Sequence, residues 1–483
     1  MGTTVFETKD SVFFVGGRGT KAGNSNAGGC TLAAWEDAGL VNKNLAKVMD
    51  DNGEPFCNVI ASVTDNGSGK VRITNVGDIS IPCIGLIAHV FFDGLHVNGR
   101  YEVIAWNPID WIDIDLAFVG NENCFVRVGG AFDTAQNAWN NTDASQYNVI
   151  IHSNKNQSKT DGNFTATWNL GTAGGSLADK SIKHFVGFDT QPGDEGQIGF
   201  DGEDDEDFST DGGIRFGSAI ESVSFENVIV EDAYTGWNAR NDSVNSIRFI
   251  KCEGNSGTGY GWSLGYGKNF VLISCQGNHN SWYGFNLGYS SGGPNHLLVN
   301  CIAHDNTREG FRSIGSCYGS ALLGCVAYNN GGSSYSGFST NSYSGCGAMI
   351  NCVAYNNGKH GFEFKRVNPV AINCIAKDNG QWGFYADTSG NLMAPHVAYC
   401  CAHGNSSGQY SLPGALPEQN SIEQDPQFVD APNGDFRPRN PAVLRGGRPD
   451  INGNPTQMGA ILQKYQFGDR ERIANMARLR IIR

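Results

Sequence analysis

Between Cys252 and Cys401 one short phrase of residues is written over and over, and this repeat constrains the fold more than any other feature of the chain. A cysteine is followed five residues later by a small polar residue, usually asparagine: Cys252 with Gly257, Cys275 with Asn280, Cys301 with Asn306, Cys325 with Asn330, Cys352 with Asn357, Cys374 with Asn379, and Cys400 with Asn405. A glycine followed by a large aromatic residue keeps step with it: Gly236-Trp237, Gly261-Trp262, Gly284-Phe285, Gly310-Phe311, Gly337-Phe338, Gly361-Phe362 and Gly383-Phe384. Successive copies lie 22 to 27 residues apart. A unit this short cannot bury an apolar face alone, so the units must stack on one another and share a core, as in a solenoid.

Within each unit the phrases Val299 to Ala303 (VNCIA), Gly324 to Ala327 (GCVA), Ile350 to Ala354 (INCVA) and Ile372 to Ala376 (INCIA) read as strands, being β-branched and alternating apolar with small residues. The Gly-aromatic segment reads as a second strand with its ring turned inward. Asn, Asp and Gly fill the turns, and no helical window separates them. This pattern resembles the right-handed parallel β-helix of the pectin-lyase-like superfamily. The resemblance implies an all-β solenoid with asparagines stacked at one turn, where aligned carboxamides bond to each other and to turn backbone.

The chain has 483 residues, 65 of them glycine, and few charges, which suits a turn-rich β protein. Its formal net charge of −14 argues against a nucleic-acid surface, whose mark is a basic patch. Seven of the 14 cysteines hold the same place in successive units, so they are expected as a reduced ladder of small apolar side chains in the core. No C-x₂-C pair suggests zinc. No apolar run is long enough to span a membrane. The N-terminal residues MGTTVFETKDSVFFVGG show neither a basic n-region nor a useful apolar stretch. The expectation is a protein that leaves its cell inside a particle; secretion after removal of a leader is the alternative.

In chain order, residues 1–125 lack the repeat and read as an N-terminal β-rich attachment module, with a helical stretch at Leu32 to Asp50. Val128 to Asn141 places Ala131, Phe132, Ala135 and Trp139 at helical spacing and reads as the N-terminal cap of a β-helix over residues 126–410. Gly187 to Asp194, with Gly196 to Gly202 behind it, resembles an early-coil phrase of phage-encoded and environmental β-helix proteins. The acidic run Glu203 to Asp207 offers Asp204, Asp205 and Asp207 as calcium ligands, beside the plainer reading of a solvated turn. Residues 411–483 read as a C-terminal capping segment and basic tail. Asp425-Pro426-Gln427-Phe428, Asp435-Phe436-Arg437-Pro438, Asn440-Pro441-Ala442 and Asp450 to Asn454 resemble the closing segment of bacterial and phage β-helix proteins.

Chemistry is expected on the Gly-aromatic strand. If the ring points inward, the second and fourth residues after glycine face water. The second-position row is Asn238, Ser263, Asn286, Arg312, Ser339, Glu363 and Tyr385. The fourth-position row includes Lys365 and Asp387. The row before glycine holds Thr235, Tyr260, Tyr283, Glu309, Ser336, His360 and Trp382, and shares that face if glycine marks the turn where the strand begins. Sugar rings stack on Tyr and Trp while their hydroxyls bond to amides, guanidinium and carboxylates. Tyr260, Tyr283, Asn286, Arg312, His360, Trp382 and Tyr385 are therefore the candidate glycan-binding residues. For hydrolysis, Glu363 and Asp387 come out roughly 8 Å apart from a coil rise of about 4.8 Å and a residue rise of about 3.3 Å, a spacing inverting enzymes accept. For lyase chemistry Lys365, Arg366 or Arg312 could be the base, yet no cluster of aspartates from successive coils is there to hold calcium.

The leading expectation is a virion surface protein of tailspike, fibre or capsid-decoration type that binds host or environmental glycans. It would meet other virion proteins through the N-terminal module and, by resemblance, form a homotrimer. The alternatives are a polysaccharide lyase or glycoside hydrolase, and a purely structural virion protein.

Overall fold

In the computed structural model the described residues are 11–15, 61–75, 87–97, 99–107, 111–128, 131–132, 148–153, 168–170, 183–188, 197–201, 213–216, 223–239, 244–288, 295–315, 319–342, 347–365, 369–387, 395–412 and 420–460. Three parallel sheets of twelve, nine and ten strands wind around one core, each strand pairing with its counterpart in the next coil. The fold is the right-handed parallel β-helix that the repeat predicts.

One coil shows why the phrase reads as it does. The strand Leu297–Val299 lies in the first sheet and Ile302–His304 in the second, and the corner between them is Asn300 in the left-handed region at φ 53°. Asn351 and Asn373, both at φ 56°, and Gly324 at φ 65° make the same corner in later coils, because Asn and Gly tolerate that conformation best. Cys301 follows at once and is fully buried, as are Cys252, Cys275, Cys325, Cys352, Cys374 and Cys400. All seven are free thiols, as expected of the ladder.

The third sheet carries the aromatic ladder. Trp237, Trp262, Phe285, Phe311, Phe338, Phe362, Phe384 and Tyr410 form one continuous stack with centroid spacings of 4.8 to 5.6 Å and interplanar angles of 3° to 11°. Opposite it the second sheet presents only Gly254, Gly277, Ala303, Ala327, Ala354, Ala376 and Ala402. There is no room for more: a Cβ on Gly254 would stand 2.4 Å from the Gly261 carbonyl oxygen.

The asparagine turn is a ladder too. Asn280, Asn306, Asn330, Asn357 and Asn379 each pass an Nδ2 hydrogen to the Oδ1 of the next, at 2.8 to 3.0 Å, and the ladder ends on Asn405. Each Nδ2 also donates to a carbonyl of the preceding coil. The glycine before each aromatic residue leaves space for this ladder: a Cβ on Gly337 would lie 2.6 Å from Asn357 Nδ2.

Outside the solenoid, strands Ala61–Asp65, Lys70–Thr74, Ile87–Phe92, Gly99–Trp106, Trp111–Ala117 and Glu122–Val128 close into an antiparallel barrel with its own core around Val63, Val71, Val90, Val103 and Ile112. Ser11–Val15, read as part of the N-terminal module, instead joins the first solenoid sheet by pairing in parallel with Asn148–Ser153. Ala131 and Phe132, expected in a capping helix, form a short strand paired with Phe14 and Val15; residues 133–141 of that cap lie outside the described residues, as do Leu32 to Asp50, Glu203 to Asp207 with all three candidate calcium ligands, and the basic tail.

The C-terminal segment reads in sequence as a cap that follows the last coil. Ile422 does extend the second sheet by one bridge to Cys401, but residues after Asp425 fold back along the outside of that sheet. There Phe436, Val443, Met458 and Ala460 cover Val326, Val353 and Ile375. The outward residues of those coils are apolar, and burying them offsets the cost of ordering the segment. Lys377 Nζ meets Asp425 Oδ1 at 2.6 Å to hold its start.

Candidate functional site

The face to examine is the outer side of the third sheet. Its second-position row runs in register, Asn238 on Ser263, then Asn286, Arg312, Ser339, Glu363 and Tyr385. The row before glycine shares this side: Ser336 and Ser339, from before and after the same Gly-Phe pair, both donate to Glu363 Oε2 at 3.2 Å. The turn that sequence reasoning assumed at glycine is therefore present.

Exposure differs from expectation. Asn238, Asn286, Ser339, Glu363, Tyr260, Tyr283 and His360 are buried, while Arg312, Trp382 and Tyr385 are half-buried. Strand alternation sets the direction of a side chain and not its coverage. Here large neighbours crowd the row: Tyr260 packs on Tyr283 at 5.5 Å, and Arg312 lies over the Tyr283 ring at 4.4 Å.

Two groups of candidate residues result. Around Tyr283, the guanidinium of Arg312 donates to the phenol oxygen, and Arg308 does so at 3.1 Å while lying 4.5 Å over the Trp282 ring. Neither arginine meets a carboxylate among the described residues. Tyr260 and Asn286 belong to this group, and Asn286 Oδ1 is buried without a partner.

Two coils on, Glu363 Oε1 accepts from Lys359 Nζ at 2.8 Å and stands 3.1 Å from Lys365 Nζ. Burial opposes the charge, but the two ammonium groups prevail and hold the carboxyl below its usual range. His360 Nδ1 accepts from the Trp382 backbone N–H at 3.2 Å, which leaves the ring proton on Nε2, 3.9 Å from Glu363 Oε1. Its ring stacks on Tyr385 at 4.2 Å, and burial pulls its pKa down to about 4, so it is neutral. Asp387 lies opposite Lys365 in the register, whereas Glu363 lies opposite Tyr385.

Between the groups sits Glu309, which sequence reasoning placed in the row before glycine and gave no role. It is buried, with Oε2 lacking any partner. Burial first, and the Glu363 charge next, push its pKa up to about 7. Lys359, Arg308 and Trp282 were also missed. Each precedes its glycine by two residues, in a turn position that a strand count ignores.

No protein-family model matches the sequence, and no curated protein matches it. Among solved structures the chain is similar to the pectate lyase Pel9A, at 14% identity over 68% of this chain and 90% of that one, with a TM-score of 0.41. It is similar to rhamnogalacturonan lyase at 12% identity, over 71% and 93%, with a TM-score of 0.37. It is also similar to the catalytic unit of the GH87 α-1,3-glucanase from Streptomyces thermodiastaticus strain HF3-3, at 10% identity over 76% and 90%, with a TM-score of 0.36. The chemistry of this chain is read from its own site.

Proposed function

We propose that the protein is a glycan-binding β-helix whose third-sheet face holds an extended anionic saccharide. The supporting observation is the pair Arg308 and Arg312, laid on the rings of Trp282 and Tyr283 without a carboxylate partner among the described residues. Guanidinium groups held over rings in this way match carboxylate or sulfate groups, while the half-buried Trp282 ring offers stacking area to the sugar. From Tyr260 to Trp382 the face spans five rungs, about 24 Å at about 4.8 Å each. Binding is tested by titrating the protein with a polyuronate and with a neutral glucan of equal length. The polyuronate is expected to bind more tightly, with salt-sensitive affinity, and to lose at least tenfold in the Arg308→Gln/Arg312→Gln variant. Equal binding of the neutral chain, or an unchanged variant, overturns the reading.

The same face is proposed to stand on a virion surface, with three chains together and the barrel of residues 61–128 as the element that meets other virion proteins. Support comes from the phage-like phrase at residues 187–202 and from the barrel having a core of its own. Peptide mapping of purified particles and sedimentation of the isolated chain test it; absence from particles, or a monomer, counts against it.

Glycan hydrolysis is the second reading, and Glu309 favours it. A carboxyl pushed up to about 7 beside an ionised one divides proton donor from acceptor, the arrangement an acid-catalysed glycosidic cleavage needs. New reducing ends that disappear in Glu309→Gln would establish it, and no release from any polyuronate or glucan tested would remove it.

A further inference from the structure

We propose that His279, His304 and Asp305 form a binding site for a divalent transition-metal ion of the zinc type, on the turn that leads from the second sheet into the third. The three residues place one donor atom each within 4.8 Å of the others. His304 Nδ1 lies 2.7 Å and His279 Nε2 lies 4.0 Å from Asp305 Oδ2.

The fold brings them together by coil stacking. His279 and Asp305 occupy the same turn position in successive coils, both left-handed at φ 56° and 53°, and the His279 backbone N–H donates to the His304 carbonyl at 3.2 Å. The same left-handed bend recurs at Ser256, Asn329, Asn356 and Asp378 in other coils, so it is the turn of the solenoid that sets these two side chains side by side.

The rings are oriented from behind. His304 stacks on Tyr328 at 4.7 Å and 12°, and Tyr328 packs against Phe436 of the C-terminal segment at 5.2 Å. His279 Nδ1 faces Asn278 Oδ1 at 3.4 Å, which suits an Nδ1–H and turns a free Nε2 toward Asp305. A neighbouring acceptor of this kind fixes the tautomer of metal-binding histidines.

Two imidazole nitrogens and one carboxylate oxygen are donors for zinc, copper or nickel rather than for calcium, which takes six to eight oxygens. Zinc ligands at about 2.0–2.1 Å stand roughly 3.3 Å apart in a tetrahedron. The His279 side chain, 60% exposed, can close in, and the His304 to Asp305 pair must open slightly. The exposed side leaves a fourth position for water. Bound metal would staple two coils at a turn that leads, three residues on, to Trp282 and Arg308 of the third-sheet face, but the inference does not rest on the glycan reading.

The test uses the full chain without a histidine tag and Co²⁺ or Zn²⁺ as probe. Calorimetry with Zn²⁺ and the visible d–d absorption of Co²⁺ are followed in the wild type, His279→Ala, Asp305→Asn, and His403→Ala as a control histidine outside the trio. The expected result is one tight site with an intense low-symmetry Co²⁺ spectrum, weakened at least tenfold in His279→Ala and Asp305→Asn and unchanged in His403→Ala. Added Zn²⁺ should raise the melting temperature of the wild type and of His403→Ala alone. Absence of tight binding in the wild type, wild-type affinity in the two trio variants, or equal loss in the control overturns the site.

Discussion

Glu309 and Glu363 stand two coils apart on one face of the third sheet and hold opposite protonation states near neutral pH. Glu363 has two lysines and two serine hydroxyls around it and stays ionised. Glu309 has an unpartnered oxygen, burial and the neighbouring negative charge, and keeps its proton up to about 7. The same burial thus gives two outcomes, decided by which cations reach each carboxyl.

Glu309 makes stability fall with pH. Its folded pKa, about 7, lies above its unfolded value of 4.5, so its contribution is fully present below pH 4.5 and is lost as pH rises through 7. The loss is about 3 kcal/mol at 1.36 kcal/mol per pH unit. Glu309→Gln should flatten the melting temperature between pH 4.5 and 8 and exceed the wild type at pH 8. An unchanged slope in denaturation curves measured across this range would sink the assignment.

The lysine clamp has the reverse sign. Because the Glu363 pKa is lowered, its stabilisation is present above pH 4.5 and fades as pH falls through the depressed value. Lys359→Met/Lys365→Met leaves a buried carboxylate without its cations and should cost about 3–5 kcal/mol at pH 7. Adding Glu363→Gln should recover most of that, since the uncompensated charge is then gone. A triple variant no better than the double one in urea denaturation would show that the lysines act by packing alone.

Much of the architecture is legible in the chain because each rung imposes one local demand. Asn300 before Cys301 is a left-handed corner followed by a buried side chain, and Gly337 before Phe338 is the gap beside an asparagine ladder. These demands recur together in every coil, so seven copies disclose them. The site is less legible, since its contacts cross coils. Glu363 meets Ser336 and Ser339, 27 and 24 residues away, and nothing in either phrase announces the pairing. Burial of that face was hidden for the same reason: alternation gives direction, while coverage depends on Tyr283 and Arg312 from other coils. The placement of Phe436 along the flank rather than over the end follows from three outward apolar residues, Val326, Val353 and Ile375, that read in sequence as ordinary strand positions.

The cysteine ladder should be chemically silent in the folded protein. All seven side chains have no exposed surface for a reagent to reach, and at Cys252 desolvation also holds the thiol far above its usual range, away from the reactive thiolate. Alkylation at pH 8 followed by peptide mapping should leave Cys252, Cys275, Cys301, Cys325, Cys352, Cys374 and Cys400 unmodified until denaturant is added. Labelling of any mid-ladder cysteine in the native state would contradict the buried array.

Asn330 sits in the middle of the asparagine ladder and makes the sharpest test of it. Its Nδ2 donates to Asn357 Oδ1 and the Ala303 carbonyl, and its Oδ1 accepts from the Asn306 Nδ2 and backbone N–H. Asn330→Ala removes all four bonds and strands two buried donors of Asn306 and two acceptors. At about 1–3 kcal/mol for each buried group left unsatisfied, a loss of about 3 kcal/mol or more is expected even if water enters to serve part of the set. Asn330→Asp keeps the acceptor for Asn306 but turns the donor into an anion facing a carboxamide oxygen and a carbonyl, so it should be worse at pH 7 than at pH 4. Asn280 begins the ladder, and its Oδ1 accepts from the Gly257 backbone N–H alone, so Asn280→Ala breaks three of these bonds instead of four and should cost less. Equal effects of the Asn330→Ala and Asn280→Ala substitutions in urea denaturation would mean that the carboxamides act one by one rather than as a ladder.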